Sequence, residues 1–109
     1  MQLFLTTLDT RSKAEELVSI LVEERLAACG TIFPGATSVF IWDGKLSKEE
    51  EVVVLFKVAE KGLLQFRERL VQLHPYDIPE ILSWNPSSVH SPYLEWVEKS
   101  FAPDLPASA

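Results

Sequence analysis

Between Cys29 and Val58 the chain carries two runs of β-branched and aromatic residues joined at Asp43-Gly44. Asp-Gly between apolar runs predicts a β-hairpin, because both residues tolerate the positive φ of a type I′ turn. The first arm, Cys29 to Trp42, is interrupted by Pro34-Gly35, which marks a bulge, a bend or an edge because proline cannot donate to a central ladder. The second, Val52 to Val58, reads Val-Val-Val-Leu-Phe-Lys-Val with almost no polar alternation. A strand that is apolar on both sides has to be covered on both faces. Gln2 to Leu8 predicts another strand of this kind, with Leu3 and Leu5 pointing one way and Phe4 the other.

Around these strands the hydrophobic period lengthens to that of helices. Ala14, Leu17, Val18, Leu21, Val22 and Leu26 form one apolar stripe, predicting a helix to about Leu26 that is capped by Thr10 or Ser12. Ser12-x-x-Glu15 fits a capping box. Leu63, Phe66, Leu70 and Leu73 give a second stripe over Glu60 to Leu73, stopped near His74 because Pro75 disfavours helical geometry in the residue before it. Pro79 to Trp84 reads as a fourth strand. Ser91-Pro92 reads as a cap and first position of a last helix ending near Phe101.

The order is β-α-β-β-α-β plus a terminal helix, an α+β chain in the ferredoxin-like order with a long β2-β3 hairpin. Residues 1–102 are expected to form a single domain and residues 103–109 a disordered tail. Both crossover helices then cover one face of a four-stranded sheet, leaving the other face to the short last helix. A sheet-sized apolar patch exceeds what soluble monomers expose, so self-association is expected. The pattern predicts an oligomer without giving a subunit number.

Charge and cysteine content narrow the function. The net charge of −6 speaks against a nucleic-acid partner, which needs clustered Lys and Arg. A single cysteine rules out an internal disulfide and fits a reducing, cytoplasmic setting. The N-terminus lacks the basic start of a signal peptide, and no apolar run is long enough for a membrane span, so a soluble protein without a membrane partner is expected.

Few residues offer chemistry. Cys29 reads either as a small buried hydrophobe or as a soft metal ligand. His74 is either the end of a helix, with its imidazole near the negative dipole, or a ligand for Cu(II) or Zn(II). Glu80 is an acid in an apolar strand, paired with a base such as Lys57 or lining a cleft with Tyr76 and Asp77. A phosphate-binding glycine loop, a Ser-His-Asp order and a metalloprotease helix are absent from the sequence, so no catalytic residue, cofactor site or enzyme activity is expected.

Several blocks, in order, carry a resemblance. Leu26-Ala27-Ala28-Cys29, Pro34-Gly35-Ala36-Thr37-Ser38, Trp42-x-Gly44-Lys45, Glu50-Glu51-Val52, His74-Pro75-Tyr76-Asp77-Ile78-Pro79-Glu80-Ile81 and Tyr93-Leu94-Glu95-Trp96 closely resemble the CutA divalent-cation-tolerance family. The resemblance implies a cytoplasmic homotrimer of ferredoxin-like subunits that responds to divalent metal ions, with copper binding in some members. His74 and Cys29 are then the candidate metal ligands. The copper ligands proposed in some members are a first-strand Cys and a His-His pair before Pro-Tyr. Thr6 and Leu73 stand at two of those positions here, leaving His74. The architecture is also similar to that of trimeric PII signalling proteins. That alternative implies a small-molecule or protein partner in a cleft between subunits lined by Trp42, Lys45, Tyr76 and Glu80.

Overall fold

The computed structural model describes residues 1–104. Residues 105–109, most of the expected tail, lie outside the described residues, while Pro103 and Asp104 form a turn. The elements are β1 (Gln2–Leu8), α1 (Arg11–Glu23), β2 (Cys29–Trp42), β3 (Lys45–Val58), α2 (Leu63–Leu73), β4 (Ile81–Trp84) and α3 (Ser91–Ser100), with a 3-10 turn over Glu60–Gly62 leading into α2. All strand pairs are antiparallel, and the sheet order is β2-β3-β1-β4. This α+β architecture, with its four-stranded antiparallel sheet and three helices, follows the expected element order.

The hairpin turns where the sequence places it. Asp43 and Gly44 have φ of 52° and 74°, the pair of left-handed residues that a type I′ turn needs, and Trp42 pairs with Lys45 across it. The ladder slips between Phe33 and Ala36, so Pro34-Gly35 forms a bulge on the edge strand.

Residues directly opposite in antiparallel strands share a face, so the register sorts the sheet into two surfaces. Phe4, Phe56 and Gly30 align on one surface, as do Thr6, Val54 and Ile32, and Leu8 with Val52. Helices α1 and α2 cover it. Phe66 of α2 packs its ring 4.8 Å from Phe4 and 5.1 Å from Phe56, all three wholly buried. Ala14, Leu17 and Leu21 bury the stripe of α1. That helix comes so near β2 that a Cβ on Gly30 would sit 2.9 Å from a Val18 methyl. Glycine is therefore required there for packing.

The other surface carries Trp84, Leu3, Lys57 and Cys29 in one row, Leu82, Leu5, Leu55 and Thr31 in the next, then Thr7, Val53 and Phe33. Among the described helices, α3 approaches it: the Tyr93 hydroxyl lies 3.7 Å from Cys29 Sγ. Trp84, Leu82 and Phe33 stay 43–53% exposed.

Several boundaries differ from the sequence expectation for local reasons. Thr10 caps α1, accepting from Lys13 N–H at 3.1 Å, so the box proposed at Ser12 is not used. The helix ends at Glu23 because Arg25 turns left-handed, with Arg25 N–H donating to Val22 O and Leu26 N–H to Leu21 O. Leu26 thus leaves the helix and still reaches the core, 5% exposed. Pro79 and Glu80 precede β4, which pairs with β1 only from Ile81. His90, not Ser91, stands at the N-cap of α3, and Pro92 lies in its first turn.

Three ties hold the helix ends. Arg69 of α2 forks onto both carboxylate oxygens of Glu24, at 2.8 and 2.7 Å, and this partner draws the Glu24 carboxyl below its usual range. Glu98 of α3 accepts from Glu60 N–H with both oxygens, and Ala102 N–H donates to Arg25 O. No helix among the described residues is long and apolar enough to cross a membrane.

Candidate functional site

Thr6 shares the covered side of β1 with Phe4 and Leu8, so its hydroxyl is carried into the core and has to find a partner there. The partner comes from the far end of α2. His74 closes that helix, its N–H donating to Leu70 O at 2.9 Å, and the extended backbone imposed before Pro75 turns its ring inward. The residue is 7% exposed. Its Nε2 lies 3.0 Å from Thr6 Oγ1 and 3.1 Å from Thr7 O, and its Nδ1 accepts from Tyr76 N–H at 3.2 Å.

These partners determine the tautomer. A carbonyl only accepts, so Nε2 carries the proton, and Nδ1 facing an N–H must be bare. The neutral imidazole therefore satisfies every contact. Burial pushes its pKa below the usual value, opposed in part by the Thr7 carbonyl. A second proton on Nδ1 would set two donors against each other.

The Tyr76 ring stands edge-on to His74, with centroids 4.9 Å apart. Its hydroxyl pKa is raised, first by burial and then by the charges of Asp9, Glu51 and Glu49. The end of β1 and the middle of β3 thus bring three carboxylates towards one phenol. Among the described residues, however, no group of three or more His, Cys, Asp or Glu side chains is placed to hold a metal ion.

The other sequence-derived candidates are distributed as follows. Cys29 is half-buried on the opposite face of the sheet from Thr6, cross-strand from Lys57. The contact with its thiol and burial push the Tyr93 hydroxyl up to about 12, burial being the larger cause. The fold therefore joins His74 to Thr6 and Tyr76 and leaves Cys29 apart from them. Trp42 and Lys45 face each other at the end of the hairpin, Trp42 being 68% exposed. Glu80 is exposed ahead of β4. Lys57, considered as its partner, donates instead to Thr31 Oγ1. Among the described residues no hydrogen bond or ion pair connects Trp42 or Lys45 with Tyr76 or Glu80.

Thr6 was the residue that hydrophobic pattern alone passes over. Its signal was present: a hydroxyl on the same side of a strand as Phe4 and Leu8 needs a buried partner.

Residues 2–100 match the profile of a family described as the CutA1 divalent ion tolerance protein. A divalent-cation tolerance protein CutA of Thermus thermophilus is 34% identical over 99 residues, covering 91% of this chain and 96% of the relative. That of Pectobacterium atrosepticum is 42% identical over 87 residues, covering 80% and 79%. Among solved structures, the divalent ion tolerance protein CutA1 of Ehrlichia chaffeensis superposes with a TM-score of 0.89 at 29% identity, covering 93% of this chain and 94% of the other. CutA of Xylella fastidiosa gives 0.87 at 35%, covering 93% and 97%.

Proposed function

The chain belongs to the CutA1 divalent ion tolerance family, and from that premise we propose that it works in the cytoplasm as a homotrimer of ferredoxin-like subunits in the response to divalent metal ions. The observation that carries this reading is the uncovered sheet face. Leu82, Trp84 and Phe33 rim it and Leu3, Leu5, Val53 and Leu55 form its middle, an apolar surface of the kind that closed symmetric assemblies bury. The sheet order β2-β3-β1-β4 supports the ferredoxin-like description. The family is defined by tolerance of divalent ions and not by a reaction, which fits a binding role better than an enzymatic one.

Cu(II) and Zn(II) are the metals to test, with His74 and Cys29 as candidate ligands. The side chains present do not form a ready site within one chain. Both ring nitrogens of His74 are engaged, and the adjoining donor is the Thr6 hydroxyl, a poor ligand for a borderline metal. Cys29 lies across the sheet from both. Metal binding at His74 therefore requires giving up the Thr6 and Thr7 contacts or the Tyr76 contact.

Two measurements test the reading. Sedimentation of the full chain is expected to give the mass of three subunits; a monomer at micromolar concentration overturns the assembly. Calorimetric titration of metal-stripped protein with Cu(II) and Zn(II), beside His74→Ala and Cys29→Ser, tests the ligands. Stoichiometric binding tighter than about 1 μM that His74→Ala removes supports the metal site. Weak binding that both variants keep favours a second reading, a PII-like sensing trimer. That reading draws on Trp42 and Lys45, whose side chains are exposed at the hairpin end and make no hydrogen bond among the described residues. A cleft joining them to Tyr76 and Glu80 would be made between subunits.

A further inference from the structure

Arg25 occupies a position that suits another residue. It follows α1 with φ of 60°, in the left-handed region that favours glycine. The backbone closes the helix without help from its side chain, through Arg25 N–H to Val22 O and Leu26 N–H to Leu21 O, and its own carbonyl accepts from Ala102. The side chain adds a second cost: Nε is buried and has no hydrogen-bond partner among the described residues. Nor does the guanidinium meet a carboxylate there. Neighbouring Glu24 is held by both arms of Arg69, and Glu95 by Lys99 at 2.7 Å. An arginine held at this cost, with no carboxylate on it among the described residues, leaves its guanidinium charge unneutralised there.

The surroundings indicate its chemistry. Arg25 lines a recess of about 350 Å³ together with Lys99, Ser100, Trp96, Val22 and Ala28. Two basic side chains meet there in a chain whose net charge is −6. Trp96 is half-exposed and lies stacked on Tyr93, ring centroids 5.7 Å apart, which fixes its plane as a wall. Val22 and Ala28 also line a neighbouring recess, so the apolar floor continues beyond the cationic end. A guanidinium fork matches a carboxylate in shape, while an apolar wall beside it disfavours a fully hydrated inorganic ion.

We propose that this recess between the end of α1 and α3 binds a small organic carboxylate with a planar apolar body. Arg25 takes the carboxylate, while Lys99 lines the recess paired with Glu95 at 2.7 Å. The body rests on Trp96, Val22 and Ala28. The site is independent of the metal reading, since neither His74 nor Cys29 lines it.

The test uses 2-naphthoate as probe, titrated into the full chain while the Trp96 indole N–H is followed by NMR and the heat by calorimetry. Inorganic phosphate and uncharged 2-naphthylmethanol serve as controls. Saturable binding that moves the Trp96 signal is expected, weakened at least about tenfold for the alcohol and for Arg25→Gly, with Arg25→Lys retaining part. Because glycine suits the backbone, Arg25→Gly is expected to melt no lower than the parent and to keep its subunit number. Equal binding by Arg25→Gly, absence of saturation, or phosphate binding as tightly as naphthoate overturns the proposal. A lowered melting temperature or altered subunit number in Arg25→Gly also overturns it, since the missing partner would then belong to another part of the assembly.

Discussion

On the side of the sheet that carries α1 and α2, Phe4, Val54 and Phe56 are wholly buried, whereas one residue along the same strands Leu3, Leu5, Val53 and Leu55 are only half-buried. Both faces are written in the same apolar alphabet. The difference lies in what the described residues bring over each: two helices with the Phe66 ring on one side, and on the other α3, which reaches it at the Cys29 end. The covered face is completed within one chain and holds its buried core. The open face holds apolar area whose burial is worth about 25 cal/mol per Å² and is left largely uncovered by the described residues. Under the proposed trimer, alternation along a strand separates two jobs, folding and association.

The largest effect is expected on the covered face. Phe66→Ala removes the ring that fills the space between Phe4 and Phe56, and a loss of about 3–5 kcal/mol follows for an aromatic-to-alanine change in such a site. Urea unfolding at fixed protein concentration measures it. A loss below about 1 kcal/mol would mean the covered face is not the folding core. The contrasting variant is Leu55→Glu, one residue from Phe56 and on the open face. It is expected to leave the far-ultraviolet circular dichroism intact while lowering the mass seen in sedimentation to one subunit. Retention of the parent mass would break the contrast between the faces.

His74 tests the covered face at its polar end. Its folded pKa lies below the model-peptide value near 6.5, because burial opposes the charged ring. The unfolded chain therefore binds the extra proton between the two values. Stability from this group is fully present above about pH 6.5, falls as pH drops through that window, and levels off below the folded pKa. The Thr7 carbonyl, which favours a protonated ring, moderates the fall. Urea midpoints between pH 7.5 and 5 should drop more steeply for the parent than for His74→Gln. Parallel curves would show that the imidazole does not titrate between the folded and unfolded states.

What the sequence made legible follows from how local each signal is. Asp43-Gly44 and Pro34-Gly35 act through their own backbone dihedrals, so the turn and the bulge lie where those residues stand. The end of α1 was not legible, because the apolar stripe runs on through Leu26 and Arg25 is not a residue that announces a left-handed turn. The same blind spot hid the Arg25 recess, whose walls come from α1 and α3, far apart in sequence. His74 was visible as a candidate. Its engagement by Thr6 and Thr7 depends on a contact spanning 68 residues, which periodicity does not reach. Cys29 and His74 could be nominated together, but only the strand register shows that they face opposite sides of the sheet.

Thr6 and Thr7 bring the comparison down to two neighbours of identical chemistry. Thr6 faces the helices and gives its oxygen to His74 Nε2 at 3.0 Å; Thr7 faces the open side, and only its backbone carbonyl reaches the same nitrogen, at 3.1 Å. Thr6→Val keeps the shape and removes one of the two acceptors that share the Nε2 proton. The Thr7 carbonyl remains, so the donor is not orphaned, and the expected loss is about 0.5–1.5 kcal/mol, the range for a single buried hydrogen bond. Thr7→Val leaves the carbonyl in place and replaces by a methyl a hydroxyl that, though Thr7 is only 9% exposed, makes no side-chain hydrogen bond among the described residues, so a change within about 0.5 kcal/mol is expected. Urea unfolding of the two variants at matched protein concentration reads the difference directly. Equal losses would mean that the two faces of β1 do not differ in the way the register sorts them, and a larger loss from Thr7→Val would place the polar demand on the open face instead.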